Sequence, residues 1–275
     1  MSQPTATIPT DISTLQQPGT LDAPDALTLC QPHLPPPRTL PDLTLPANHQ
    51  PDPNTVLLLI PTNNAFKTKL LTTHLSPPTT STTTIPLTVP ADSAVGEQPY
   101  DSAGPQGAFN RVVNAVRLLG ADPLGEDGRA AVRERGVGTV VVGAVENFIV
   151  RPGAGACGGG YDVPVDYGVV VLCRIPLVYD GDSGVQGSPG EWEWKVGVSK
   201  GVRVPVDYWR AAEGGWGFED EERRFGKKTV GEVLAENVEG LDKADWHRDL
   251  AGVSRYDLLE EVMREMDGKP WFRVA

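Results

Sequence analysis

The chain reads as an α/β protein, a mixed sheet with helices packed on it, and three observations carry that reading. "GTVVVGAVENFIV" and "DYGVVVLCRIPLVY" are β-branched apolar runs of the kind that form buried strands. In "GAFNRVVNAVRLLG", by contrast, Ala108, Val112, Ala115, Val116 and Leu119 recur at helical spacing and form one apolar stripe. Runs of these two kinds are interspersed from about residue 55 onward, an order that suits a sheet covered by helices.

Taken in order, "TVLLLIP" from Thr55 to Pro61 predicts a buried first strand, and "TNNAFKTKLLTTHL" predicts a helix with Phe66, Leu70 and Leu71 on one side. "TIPLTVP" predicts a second strand, which its prolines place near a sheet edge. The helix around Asn110 leads through "GADPLGEDG" into the strand that ends near Val150. "EWEWKVGVSKGVRVP" continues the sheet after the turn-rich "DGDSGVQGSPG". "PVDYWRAAEG", "KTVGEVLAENV" and "SRYDLLEEVMREMD" complete the chain as helices.

Composition bounds the rest. Prolines are densest in the first fifty positions, which hold ten of the 26 in the 275-residue chain, and no hydrophobic period is sustained there. The expected organisation is therefore a disordered, proline-rich arm over 1–52 and one folded domain over 53–275. "MSQPTATIPTDIST" has neither the basic start nor the apolar core of a signal peptide, and no run is long and apolar enough to span a membrane. Three cysteines without C-x-x-C spacing indicate neither a disulfide framework nor a zinc knuckle, which suits a reducing, cytoplasmic compartment. A net charge of -12 argues against a surface that coats nucleic acid, although a small phosphorylated ligand remains compatible with positive charge gathered in one cleft.

Several motif matches have ordinary explanations. "GAGACG" satisfies G-x-G-x-x-G but is followed by "GGYDVPVDYG", not by a helix. "FGKKT" lacks the upstream glycine and strand of a P-loop. Asp242, Asp245 and His247 in "DKADWH" read as helix-start residues before they read as metal ligands. Three features retain functional content. Thr62, Asn63 and Asn64 stand at a helix N-terminus directly after the first strand, with Lys67 one turn in, an outline of an anion site whose alternative is an ordinary Asn cap with a surface lysine. Glu146 shares a strand face with Val140, Val142, Ala144 and Phe148, where a carboxylate needs an ion-pair partner, a metal or a cleft. Asn110, Arg111 and Asn114 lie off the apolar stripe of their helix and either aim at the same opening or form a salt-bridged surface.

Together these segments resemble one family, the non-canonical purine NTP phosphatases or inosine/xanthosine triphosphatases, distant relatives of the ITP pyrophosphatases. "TNNAFK" fits its T-x-N-x-x-K, "DSAVGEQPY" its acidic-Ser-x-Val-x-Glu-Gln-Pro-aromatic segment, and "GAFNRVVNA" its Gly-Ala-x-Asn-Arg-x-x-Asn-Ala helix. "GAVENF", "VSKGVRVP" and "LAGVSRYDLL" follow in the family order, the last with its Gly-x-Ser-Arg. The resemblance implies an elongated α/β fold with a cleft between two lobes, a homodimer, a divalent cation (Mg²⁺ or Mn²⁺), and hydrolysis of ITP or XTP to the diphosphate. It implies that Thr62, Asn63, Asn64, Asn110, Asn114, Lys243, Ser254 and Arg255 contact substrate. Lys67 and Arg111 would hold the phosphates and Glu146 the metal. One departure stands out: Gly104 and Pro105 occupy the place of an expected Glu-Thr, so Asp101 would have to stand in as the second metal ligand. The same fold also occurs in proline-rich scaffold proteins, which leaves a catalytically weak or inactive nucleotide-binding module as the alternative function.

Overall fold

The computed structural model describes residues 8–41, 43–45, 51–76, 82–120, 135–153, 161–180, 184–187 and 191–267. The N-terminal part carries α1 (Ile12–Leu15), α2 (Ala26–Cys30) and β1 (Leu43–Leu45). Next come β2 (Asp52–Ile60), α3 (Ala65–Leu75), β3 (Thr83–Thr88), β4 (Gln98–Pro99) and α4 (Ala103–Gly120). The long strands β5 (Val137–Val150) and β6 (Val165–Pro176) lead to β7 (Val178–Asp180), β8 (Gly184–Gly187), β9 (Glu193–Val198) and β10 (Val202–Arg203). The C-terminal part holds α5 (Val206–Ala211), β11 (Phe225–Gly226), α6 (Val230–Asn237), α7 (Trp246–Ala251) and α8 (Arg255–Asp267). The fold class is α/β, as the strand and helix patterns predict.

Among the described residues the main sheet has six strands in the order β10–β6–β5–β2–β3, with β9 pairing β6 beside β10. It is mixed: β2 runs parallel to both β3 and β5, while β5 and β6 are antiparallel from Thr139↔Pro176 to Val150↔Val165. β3, with Pro86 in it, lies at the edge, where a missing N–H disturbs no further ladder.

Period-two alternation divides the strand residues between two cores. Leu57, Leu59, Val140, Val142, Ala144 and Phe148 meet the apolar stripe of α4 on one face. Val56, Leu58, Val141, Val145, Val170 and Leu172 meet Leu70, Leu71 and Leu75 of α3 and Leu259, Val262 and Met263 of α8 on the other. A third core gathers Tyr208, Val233, Leu234, Trp246 and Leu250 from the C-terminal helices, against Tyr100, Ile149 and Val202 from the sheet end.

The expectation of a disordered arm over 1–52 is corrected wherever that segment is described. Leu15 joins the C-terminal helical core, whereas Leu29, Cys30, Leu40 and Leu43 are buried in the α4-side core. Backbone bonds fix the path between them: Gln17 and Gly19 donate to Leu250 and Ala251 oxygens, Leu21 bridges Gly201, and β1 pairs antiparallel with β8. Isolated leucines without a local period are enough here, because distant elements supply the apolar surface that covers them. The glycine-rich stretch ending at Gly158, with Cys157, lies outside the described residues apart from Gly153, and so does most of "GADPLGEDG".

Candidate functional site

A cleft of about 330 Å³ opens where the ends of β5 and β6 face the C-terminal helices. Asn64 and Lys67 of the β2–α3 junction, Glu146 and Asn147 of β5 and Asp166 of β6 line the sheet side. Thr229, Gly231, Glu232, Lys243, Trp246 and Arg255 line the other, with Glu97 and Gln98 also on the border.

Local chemistry sets each of these. Asn64 is the N-cap of α3, its Oδ1 accepting the Lys67 N–H at 3.0 Å, so the first turn is fixed and the Lys67 side chain starts from a defined place. Lys67 Nζ donates to the Val145 carbonyl at 2.8 Å and lies 4.0 Å from Glu146 Oε1. Desolvation pulls the Lys67 pKa down; Glu146 opposes this, and the charges of Arg111 and Arg255 add to it. A group held in this way would be favoured in its charged form by an arriving anion. Thr229 caps α6 through a capping box with Glu232, which explains "KKT" without any phosphate loop.

Glu146 is buried on the α4 side, and its Oε2 accepts from Arg111 Nε at 2.7 Å. Arg111 Nη1 donates to the Ala91 carbonyl at 2.7 Å. The sequence offered an ion pair, a metal or a cleft for this carboxylate; the structure gives it an ion pair at the border of a cleft. Arg111 itself is not among the residues lining the cleft and reaches it through Glu146.

Asn110 and Asn114 do not face this opening. Asn110 Nδ2 donates to the Ser93 carbonyl at 2.8 Å and Asn114 Nδ2 to that of Asp92 at 2.9 Å, so α4 uses its amides to hold the 91–95 loop. Both border a separate hollow of about 290 Å³, closed by Pro32, His33 and Leu34. Thr62 and Asn63 are outside the cleft lining too; Thr62 Oγ1 accepts from the Asn64 N–H at 3.1 Å, while Asn63 is exposed.

Asp101 is taken by another partner. Its carboxylate accepts from Arg151 Nε at 2.6 Å and from the Arg151 N–H at 2.8 Å, and Asp101 is not among the residues that line the cleft beside Glu146. The Gly104 departure has a packing cause: a Cβ there would come within 2.2 Å of the Phe148 ring, so this backbone admits no acidic side chain at that position. Among the described residues no group of three or more His, Cys, Asp or Glu side chains is arranged around one point.

Sequence reasoning passed over Asp166 and the surroundings of His247. Asp166 is buried, and its Oδ2 accepts from Arg255 Nη2 at 2.6 Å, with His247 Nε2 at 3.4 Å. Burial raises the Asp166 pKa, but Arg255 and the His247 hydrogen bond outweigh it and hold the carboxyl below its ordinary value. His247 is stacked on Trp246 with ring centroids 3.8 Å apart. Burial, with the Arg255 charge, pushes its pKa down from 6.5 to about 4 against the pull of Asp166, so the ring is neutral at pH 7. Asp245 accepts from Ser254 Oγ and from the Arg255 N–H, both at 2.8 Å, and so fixes the start of α8 and the root of Arg255. Ser254 is buried in that role and does not line the cleft, whereas Lys243 and Arg255 do. A lone acid in the valine-rich "VPVDYGVVVLC" is the same signal that drew attention to Glu146, and it applied equally to Asp166.

No protein-family model matches the chain, and no curated protein matches it. Among solved structures it is similar to protein VC0702 from Vibrio cholerae, with a TM-score of 0.47 and 16% identity over 78% of this chain and 95% of that one.

Proposed function

We propose that this chain hydrolyses non-canonical purine nucleoside triphosphates, ITP or XTP, to the diphosphate and phosphate, with the triphosphate lying along the cleft at the ends of β5 and β6. The observation that carries the reading is that Lys67 on the sheet side of the cleft and Arg255 and Lys243 on the helical side gather cations around one opening, among the carboxylates of Glu97, Glu146, Asp166 and Glu232, in a chain of net charge -12. Phosphoryl transfer asks mainly for positioning and charge stabilisation, which such groups supply. Lys67, started from the Asn64 cap, would hold phosphate oxygens from the α3 side, and Arg255 and Lys243 from the helical side. Arg111 would act through Glu146, keeping its carboxylate turned to the cleft. The motif resemblance to the triphosphatases supports the choice of substrate, and with it the elongated two-lobed fold and the homodimer.

A divalent cation fits this donor set if it arrives on the nucleotide. Mg²⁺ is commonly held by one or two carboxylates together with substrate phosphates, and Glu146, with Glu97 bordering the same cleft, meets that need without a protein-only cage. When bound it would neutralise phosphate charge.

The binding-module alternative draws on a specific observation too: Asp101 is committed to Arg151, and Gly104 against Phe148 leaves no space for a second acid. Phosphate release from ITP and XTP with Mg²⁺, beside ATP as comparator, separates the two. Turnover of ITP or XTP well above ATP supports hydrolysis; binding without release supports the module; neither binding nor release removes the nucleotide from this cleft.

A further inference from the structure

Neighbouring residues of a strand leave opposite faces of the sheet, so Asn147 departs from the face that Glu146 uses and emerges on the side covered by α3 and α8. Its cross-strand neighbour there is Gly168. A Cβ at Gly168 would lie 2.6 Å from Leu259 Cδ2 and 3.5 Å from Asn147 Nδ2, so the missing side chain leaves the amide its room. Asn147 Nδ2 is buried and has no hydrogen-bond partner among the described residues, and the same is true of Arg255 Nε. Both residues line the cleft, as does Lys67. The neighbouring carboxylate of Asp166 pairs with Arg255 Nη2 and makes no hydrogen bond to either of these donors. A buried donor without an acceptor is left desolvated with nothing to offset it. Two of them on residues of one cleft, beside a desolvated ammonium, form a wall that lacks only oxygen acceptors.

We infer that Asn147 is a substrate-contacting residue, its Nδ2 donating together with Arg255 Nε to an oxygen acceptor of the bound nucleotide. The inference rests on the nucleotide reading above and adds to it a residue that none of the recognised motifs assigns. An oxygen acceptor of this kind is carried by the phosphates and by the 6-oxo group of a deaminated purine. The exocyclic amine of adenine offers no such acceptor and would leave the donors unmet.

Asn147→Ala and Asn147→Asp in the full chain test it, by equilibrium binding of ITP, ATP and inorganic tripolyphosphate with Mg²⁺ and by thermal melting without ligand. The Ala variant should melt within about 2 °C of the parent, since an unpartnered amide contributes no hydrogen bond to the fold, while its Kd for ITP rises about three- to tenfold. The Asp variant should bind more weakly still, because an acceptor replaces the donor. Tripolyphosphate affinity falling in step identifies a phosphate oxygen; a loss confined to ITP identifies the 6-oxo group. Either supports the inference. Unchanged Kd values in both variants overturn it, as does a lowered melting temperature with affinity intact. A parent chain that binds ITP but releases no phosphate sinks the hydrolysis reading alone and leaves Asn147 in place, whereas one that binds none of the three probes overturns both.

Discussion

Glu146 is held by two cations, Arg111 at 2.7 Å and Lys67 at 4.0 Å, and this reverses the stability expected of a carboxylate placed among valines. Removing the charge by Glu146→Gln leaves both cations facing a neutral amide. The variant should lose about 1–3 kcal/mol, read from urea unfolding, as well as any turnover; a variant as stable as the parent would mean that the pair contributes nothing. Gly104 makes the same kind of point through packing. Gly104→Ala drives a methyl into Phe148, whose ring the second aromatic, Tyr167, backs at 5.9 Å. A cost of about 1–3 kcal/mol is expected from overpacking, measured by the same unfolding. His247 carries the pH dependence. Its folded pKa, about 4, lies below its ordinary 6.5, so the unfolded chain takes up the proton first as the solution is acidified. Stability is therefore complete above pH 6.5 and is lost as pH falls toward 4, by on the order of 3 kcal/mol in all. His247→Gln should flatten the decline of melting temperature between pH 6.5 and 4.5; parallel curves for parent and variant would assign that decline to other groups.

At the scale of elements, the N-terminal segment behaves as a strap. α1 packs its Leu15 into the helical core near α7, and α2 and β1 put Leu29, Cys30 and Leu43 into the core between α4 and the sheet. Because α7 carries Trp246, which lines the cleft, and His247, which contacts Asp166 and Arg255, the strap braces one wall of the cleft from behind. Deleting residues 1–45 should lower the melting temperature steeply and expose apolar surface to dye. The single change Leu43→Ala, at a fully buried position, should cost about 2–5 kcal/mol. A deletion that melts like the parent would return the segment to the status of a dispensable arm. α4 shows the converse case, an element whose apolar stripe was legible while the purpose of its polar side was not. Ala108, Val112, Ala115, Val116 and Leu119 are buried as their spacing requires. The amides of Asn110 and Asn114 look from the sequence like ligand groups, yet they bond carbonyls of a loop some twenty residues upstream.

At the scale of the whole molecule, the cleft joins the ends of β5 and β6 to α6, α7 and α8, and a ligand seated there should stabilise both sides together. ITP with Mg²⁺ at a hundredfold excess over Kd should add about 2.7 kcal/mol to the stability of the parent. A shift of that size in the melting curve, absent with free Mg²⁺, is the expected result; an unshifted curve at millimolar ITP would count against the cleft as a nucleotide site. What the amino-acid sequence determined by itself is local: the valine-rich strands, the α4 stripe, the Asn64 cap before Lys67, and the edge position of a proline-bearing strand. These follow from side-chain period and backbone chemistry within a few residues, which a single chain displays openly. The tertiary structure alone decided which charges meet. Glu146 went to Arg111, Asp101 to Arg151, Asp166 to Arg255 and His247, and the scattered leucines of the N-terminal strap found cover on elements far along the chain. Such pairings depend on residues far apart in the chain, 89 positions for Asp166 and Arg255 and more for Leu15 and the C-terminal helices. An ionised group or a lone leucine carries no mark in the sequence of the partner that folding will bring to it.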